Sequence, residues 1–246
     1  MKSRNRPSFP ETADIETSSE EYARRFSGEV GEWFLKIQEE VTLKMLAPYA
    51  SANILDVGGG HGQLTSALID NNFHTTILGS AEICKTRIEN YLEDPRCSFK
   101  VGNILEMPFN DQEFEVVISY RLLAHVNKWK EFLAELTRVA SQAVIIDYPE
   151  LRSLNALTPY LFEYKKKIEG NTRQYNIFRE SDLAKVFKSR GFIQASKSAE
   201  FFIPMVLHRK LNSPRFSSTI EDLSRSLGLT GVFGSPIILK LIRGDD

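Results

Sequence analysis

Between residues 22 and 46, the apolar positions Tyr22, Phe26, Val30, Phe34, Ile37, Val41 and Met45 recur every three or four residues. That spacing lines one face of a helix. Gly28 and Gly31 interrupt the run, so the pattern predicts one or two amphipathic helices packed on a larger body. Ser18 and Ser19 followed by Glu20 and Glu21 provide a helix start with an acidic first turn. Pro48 closes this segment and the period changes. Short apolar or β-branched runs at 53–57, 75–78, 98–101, 114–119 and 143–147 read as strands, and helical stretches are predicted at 63–71, 82–92 and 129–139. Strands alternating with helices specify an α/β fold, a mostly parallel sheet with helices on both faces. After Pro149, a helix is expected over 154–168, ending in Lys165-Lys166-Lys167, which reads as a solvated face. A second, over 180–190, carries the apolar face Leu183, Val186 and Phe187 and ends at Gly191. Phe192 opens a strand-like stretch, and 236–242 is the last strong strand. The stretch between the fifth strand and residue 180 is expected to be a helical insertion covering a site. Residues 1–17, with Pro7 and Pro10 and no apolar period, read as a flexible tail. Residues 18–246 read as one domain: 18–48 N-terminal helices, 50–150 core, 151–246 substrate side.

Composition narrows this picture. A chain of 246 residues with 42% hydrophobic and 26% charged residues suits one large soluble domain. A net charge of -1 supplies no global field for nucleic acid or an anionic membrane, so no nucleic-acid partner is expected. Cys84 and Cys97, the two cysteines, have no metal-binding spacing; no metal site and a reducing, cytoplasmic setting are expected. No apolar run approaches the roughly 20 residues of a membrane span, and the polar N-terminus lacks a secretory apolar core.

The candidate chemistry lies at the end of the first strand, Asp56-Val57-Gly58-Gly59-Gly60-His61-Gly62. Ligands of α/β sheets bind at the carboxyl ends of strands, where glycines admit a ligand that a Cβ would exclude and helix N-termini offer free N–H groups. A dinucleotide fingerprint needs G-x-G-x-x-G; here glycines 58, 60 and 62 bring the third one residue early. Asp56 would repel a pyrophosphate but suits a ligand bearing an ammonium group, such as S-adenosylmethionine (SAM).

Residues 54–62 resemble motif I of class I SAM-dependent methyltransferases. The stretch 102–117 resembles the G-D-A-x-x-L-P-F-x-D-x-x-F-D-V-V block of the ubiquinone/menaquinone-type branch, and His125-Val126 and residues 135–139 continue the likeness, which covers about residues 50–150. The resemblance implies a Rossmann-like, seven-stranded, mostly parallel sheet with an N-terminal helical lid, and SAM as cofactor with S-adenosylhomocysteine (SAH) as product. It places Gly58, Gly59, Gly60 and Gly62 around the methionine part of SAM, with Asp56 shaping that pocket. Asn103 and Ile104 would flank the adenine; Tyr120 and Arg121 would line the meeting place of methyl group and acceptor. Two positions depart from the family. Its second strand ends in an acid that binds the ribose, whereas Gly79-Ser80 stands here, so Ser80 or Glu82 must substitute. Asn103 replaces the adenine-binding Asp, and its side-chain carbonyl can still accept from an amine.

A general base is needed only where the acceptor loses a proton. His125, in the loop after the fourth strand, is the base candidate; Arg121 and the lid residue Tyr22 are the other catalytic candidates. His61 is read as loop-shaping and His74 as structural. His208, beside Arg209, Lys210 and Arg215, is read first as part of a solvated surface and otherwise as a grip for an acidic substrate. Tyr148, Tyr160, Tyr164 and Tyr175 could wall an apolar pocket. The preferred function is methyl transfer to the O, N or C of a small molecule by a monomer or homodimer. The alternatives are a protein or RNA methyltransferase, disfavoured because Ser119-Tyr120-Arg121-Leu122 replaces an Asn-Pro-Pro-Tyr tetrad, and a non-catalytic SAM-binding module. A nicotinamide-dependent oxidoreductase is disfavoured by the glycine spacing and Asp56.

Overall fold

The computed structural model describes residues 9–153 and 176–244. The N-terminal helices are α1 (Ala13–Thr17), α2 (Glu20–Ala23) and, after a 3-10 turn at Arg24–Phe26, α3 (Gly28–Leu46). Ser19 caps α2 by accepting the Tyr22 amide, and Gly28, at φ +74°, marks the break before α3; Gly31 lies within it.

The core then runs β1 (Asn53–Val57), α4 (Thr65–Asp70), β2 (His74–Gly79), β3 (Cys97–Val101), β4 (Phe114–Ser119), α5 (Trp129–Val139) and β5 (Ala140–Tyr148). Beyond it come α6 (Glu180–Lys188), β6 (Phe192–Ala199), α7 (Met205–Leu211), α8 (Pro214–Ser226), α9 (Leu229–Phe233) and β7 (Ile237–Arg243). The seven strands form one sheet in the order β3-β2-β1-β4-β5-β7-β6. Pairing is parallel from β3 to β5, and β7 is antiparallel to both β5 and β6. β6 therefore runs in the same direction as β5, so both end at the same edge of the sheet.

Central strands are apolar almost throughout because both faces are covered. Leu55, Val57, Val117 and Val144 face Phe132, Leu133 and Leu136 of α5 and Leu183 and Phe187 of α6. Ile54, Val116, Ile118 and Ile145 face Met45 and Leu46 of α3 and Leu64 and Leu68 of the α4 side. Lys240 Nζ ties β7 to α3 by donating to the Met45 carbonyl at 2.8 Å.

Three expectations are corrected. The segment 82–92 is not an α-helix: it is two 3-10 turns, Glu82–Lys85 and Glu89–Tyr91, closed by i to i+3 bonds such as Ile88 N to Lys85 O. Of the stretch 1–17 expected to be a flexible tail, the described residues 9–17 are folded against the body, with Glu11, Ala13, Asp14 and Thr17 buried. His208 is not a surface residue; it is fully buried among Trp33, Phe34 and Phe201 with its Nε2 2.9 Å from Glu221. The helix over 154–168, Lys165 to Lys167, and Tyr160, Tyr164 and Tyr175 lie outside the described residues. Among the described residues no helix is long and apolar enough to cross a membrane.

Candidate active site

At the carboxyl end of β1 the chain turns sharply, with Gly58 at φ +79° and Gly62 at φ +73°, a conformation costly for a residue with a Cβ. A Cβ on Gly59 would overlap the Asp56 carboxylate, and one on Gly60 would overlap the carbonyl of Cys84. The loop is pinned where Gly58 N donates to the Leu78 carbonyl at 2.8 Å and Ser119 Oγ to that of Val57 at 2.9 Å.

Asp56 is buried and neither carboxylate oxygen accepts a hydrogen bond. Burial pushes its pKa up to about 7. Such a group requires a cation or a proton, and this cradle accommodates a ligand ammonium. His61 fulfils its loop-shaping role, its Nδ1 accepting the Gln63 amide at 3.1 Å. Burial first, then the charge of Arg121, holds it down to about 3, so the ring is neutral.

At the end of β2, Gly79 packs where a Cβ would meet Cys84 and Phe99. Of the two substitutes expected for the ribose acid, Glu82 is exposed and paired with Lys85 at 2.7 Å. Ser80 is buried at the end of β2, and the carboxylate of Asp14 from α1 stands beside it. Asp14 accepts the Ser80 amide at 2.5 Å and the Ser80 hydroxyl at 2.6 Å. Asn103 Oδ1 accepts the Leu105 amide at 3.1 Å, which shapes the turn after β3, and Ile104 is buried in the core beside Leu78.

Past β4, Arg121 holds a non-glycine φ of +60°, a strained conformation that surrounding contacts must impose. Its amide donates to Asp147 Oδ1 at 2.7 Å and its Nη2 to Gln38 Oε1 at 2.6 Å. Nη1 lies 3.6 Å from Asp147 and Nη2 3.8 Å from Glu200. The guanidinium also sits 5.2 Å from the Phe26 ring centre. Tyr22 is buried in the same field, its hydroxyl pKa raised by burial and by Asp147 against the opposing pull of Arg121. Glu200, one residue beyond β6, is buried with both oxygens accepting no hydrogen bond, and burial, opposed by Arg121, brings its pKa to about 7.

Arg121, Tyr22 and Tyr120 thus belong to one buried cluster near His61, in which the Tyr120 hydroxyl lies 2.8 Å from that of Thr42 of α3. His125 lies on the 3-10 turn Leu123–His125, outside the Arg121 hydrogen-bond set described above. Sequence reasoning missed Gln38, Asp147, Glu200 and Asp14. Each is a lone polar residue without a motif, and only the three-dimensional fold brings the first three to Arg121 and Asp14 to Ser80.

Residues 55–146 match the family model described as "Methyltransferase domain". Among curated proteins, 24-methylenesterol C-methyltransferase 2 of Arabidopsis thaliana is 25% identical over 165 residues, 64% of this chain and 46% of that protein. The chain spans about half the length of the curated relatives it matches. Among solved structures, magnesium protoporphyrin IX methyltransferase from Synechocystis PCC 6803 with bound SAH superposes with a TM-score of 0.64 at 13% identity, covering 94% of this chain and 98% of that one. The 1,6-didemethyltoxoflavin-N1-methyltransferase of Burkholderia thailandensis gives a TM-score of 0.55 at 13% identity, covering 86% and 79%. Residues 55–146 thus carry the methyltransferase match, and the chain as a whole shares the fold of solved SAM-dependent methyltransferases. The match is to the general family and not specifically to its ubiquinone-type branch.

Proposed function

We propose that this protein binds SAM at the carboxyl end of β1 and transfers its methyl group to a small-molecule acceptor. The observation that carries this reading is Asp56, a buried carboxylate without a hydrogen-bond partner at a loop only glycines can form. Asp56 would hold the ammonium of SAM, Gly58, Gly59, Gly60 and Gly62 would cradle the methionine part, Ser80 would meet the ribose, and Asn103 and Ile104 the adenine. When bound, SAM supplies an electrophilic methyl group on a sulfonium.

The chain's own contribution is the buried cluster of Tyr22, Arg121, Asp147 and Glu200. One guanidinium faces two buried carboxylates there, so an acceptor admitted beside it is favoured when it carries a polar or cationic group. Arg121 positions both acids. Glu200, titrating near neutrality, is suited to take the proton that an O–H or N–H acceptor must lose, a role that sequence reasoning gave to His125. The names of a relative, a 24-methylenesterol C-methyltransferase, and of two structural neighbours, methyltransferases of magnesium protoporphyrin IX and 1,6-didemethyltoxoflavin, support a small-molecule acceptor. The two buried, unbridged cysteines support a reducing, cytoplasmic setting.

Calorimetric titration with SAM and SAH, followed by assay of SAH release with pooled small metabolites, tests the reading. Micromolar binding that Asp56→Ala abolishes, and SAH formed with small molecules but not with RNA or protein, are expected. Binding without turnover on any acceptor would leave a SAM-binding module in place of an enzyme.

A further inference from the structure

The helix α1 lies across the proposed cofactor site. Its buried face consists of Ala13, Asp14 and Thr17, continued by Ser18. Asp14 Cβ lies 3.6 Å from where a Cβ would stand on Gly58, and Ser18 Oγ lies 2.6 Å from the same position on Gly60. The Asp14 carboxylate takes both donors of Ser80 and lies 3.3 Å from Cys84 Sγ. Ala13 packs in the core cluster that includes Leu78 and Ile104. Glu11, just before α1, accepts the amides of Asn127 and Lys128 at 3.0 and 3.1 Å. Beyond α1, Glu20 pairs with Arg87. The helix is therefore fastened on both sides of the glycine loop.

This footprint coincides with the one assigned above to the methionine and ribose parts of SAM. Two bodies cannot occupy it together. The helix also fits the site incompletely. It satisfies Ser80, but no group of α1 donates to Asp56, whose two oxygens remain without a hydrogen bond. A ligand with an ammonium group supplies what α1 does not. Displacement of Asp14 would in turn free the Ser80 amide and hydroxyl for ribose oxygens.

We propose that α1 is a plug that competes with the cofactor: Asp14 and Ser18 close the site against Ser80 and Gly60, and SAM binds by displacing them. Asp14 is then a residue that sets cofactor affinity. The proposal rests on the reading that SAM binds beside Asp56. A protein whose competent state is a minority binds with an affinity reduced by that fraction. Loosening the plug therefore strengthens SAM binding, whereas loosening a pocket wall would weaken it.

The test is calorimetry with SAM on the full chain and on Asp14→Ala and Ser18→Gly, with hydrogen exchange of residues 9–20 followed in the unsubstituted protein. Melting curves establish that each variant is folded, and Ser18→Gly carries the test if Asp14→Ala is not. Expected are at least fivefold tighter SAM binding by the variants and faster exchange over 9–20 when SAM is added. Unchanged or weaker binding by the folded variants, or slower exchange over 9–20 with SAM, overturns the plug and makes α1 a wall of the pocket, while cofactor binding itself stands. Absence of SAM binding by all three proteins overturns the cofactor reading and the plug with it.

Discussion

A buried carboxylate that accepts no hydrogen bond titrates where an exposed one would not, and Asp56 and Glu200 are two such groups among the described residues. Asp56 and Glu200 have native pKa values near 7 because of burial, against about 4 for an ordinary carboxyl. Between those values the native state holds more protons than the unfolded chain, so their effect is to lower stability as pH rises from about 4 to 7. His61 acts in the opposite sense. Its native value of about 3 lies below its ordinary one, so its contribution rises with pH from about 3 to 6.5. Asp56→Asn should therefore reduce the loss of stability between pH 5 and pH 8 by up to about 3 kcal/mol, read by urea unfolding at both values. A variant with the unsubstituted protein's pH profile would show that Asp56 is not the titrating group. Arg121 belongs to the same balance, since removing it leaves Asp147 and Glu200 buried without their cation. Arg121→Ala should destabilise the fold by about 3–5 kcal/mol at pH 8, and Glu200→Gln in that background should recover part of the loss. A loss below 1 kcal/mol would mean that the cluster is solvated.

At the scale of elements, the same logic applies to the layer beyond β6. Glu221 of α8 is buried and accepts the amides of Phe202 and Ile203, each at 2.8 Å, besides facing His208 of α7. Glu221→Ala would leave buried donors unsatisfied at about 1–3 kcal/mol each. A drop in unfolding free energy of about 3–5 kcal/mol is expected, with Glu221→Gln costing less than half as much; equal costs would refute the hydrogen-bond argument. None of this was legible in the sequence, because His208 and Glu221 are 13 residues apart on different helices and each resembles a surface residue. By contrast, the helix at 129–139 and the strand at 114–119 were read to the residue. Their apolar periods are strong and their neighbours are local in the sheet. The segment 82–92 failed for an intermediate reason. Cys84 and Ile88 are buried at helical spacing, but the Thr86 hydroxyl bonds the Ile83 carbonyl locally and Arg87 reaches the His61 carbonyl across the fold, and these contacts accompany a tighter winding than α. In the site, the glycine loop and Asp56 were legible because a local turn forms them. Asp14 was not, because its partner Ser80 lies 66 residues away.

At the scale of the molecule, the sheet edge joins two buried groups of opposite need, a glycine loop whose acid lacks a cation and a cluster where one cation serves two acids. Cofactor binding, charge and stability are therefore coupled. SAM adds stability to the folded state by mass action, about 2.7 kcal/mol at a hundredfold excess over the dissociation constant. If its ammonium rests on ionised Asp56, protonating that acid below pH 7 should weaken binding by up to tenfold per pH unit, about 1.4 kcal/mol each. For a chain of 246 residues this corresponds to roughly 3–6 °C of melting temperature. At a fixed, saturating SAM concentration, the rise in melting temperature should thus be several degrees smaller at pH 6 than at pH 8. In Asp56→Asn the rise should be small and equal at the two values, since no acid remains there to titrate. A rise of the same size at both pH values in the unsubstituted protein would place the ammonium elsewhere. The shared footprint of α1 and SAM does not produce this signature, because the Asp14 contacts to Ser80 do not involve Asp56. Scanning calorimetry with and without SAM at the two pH values therefore separates the ammonium contact from the displacement of the helix.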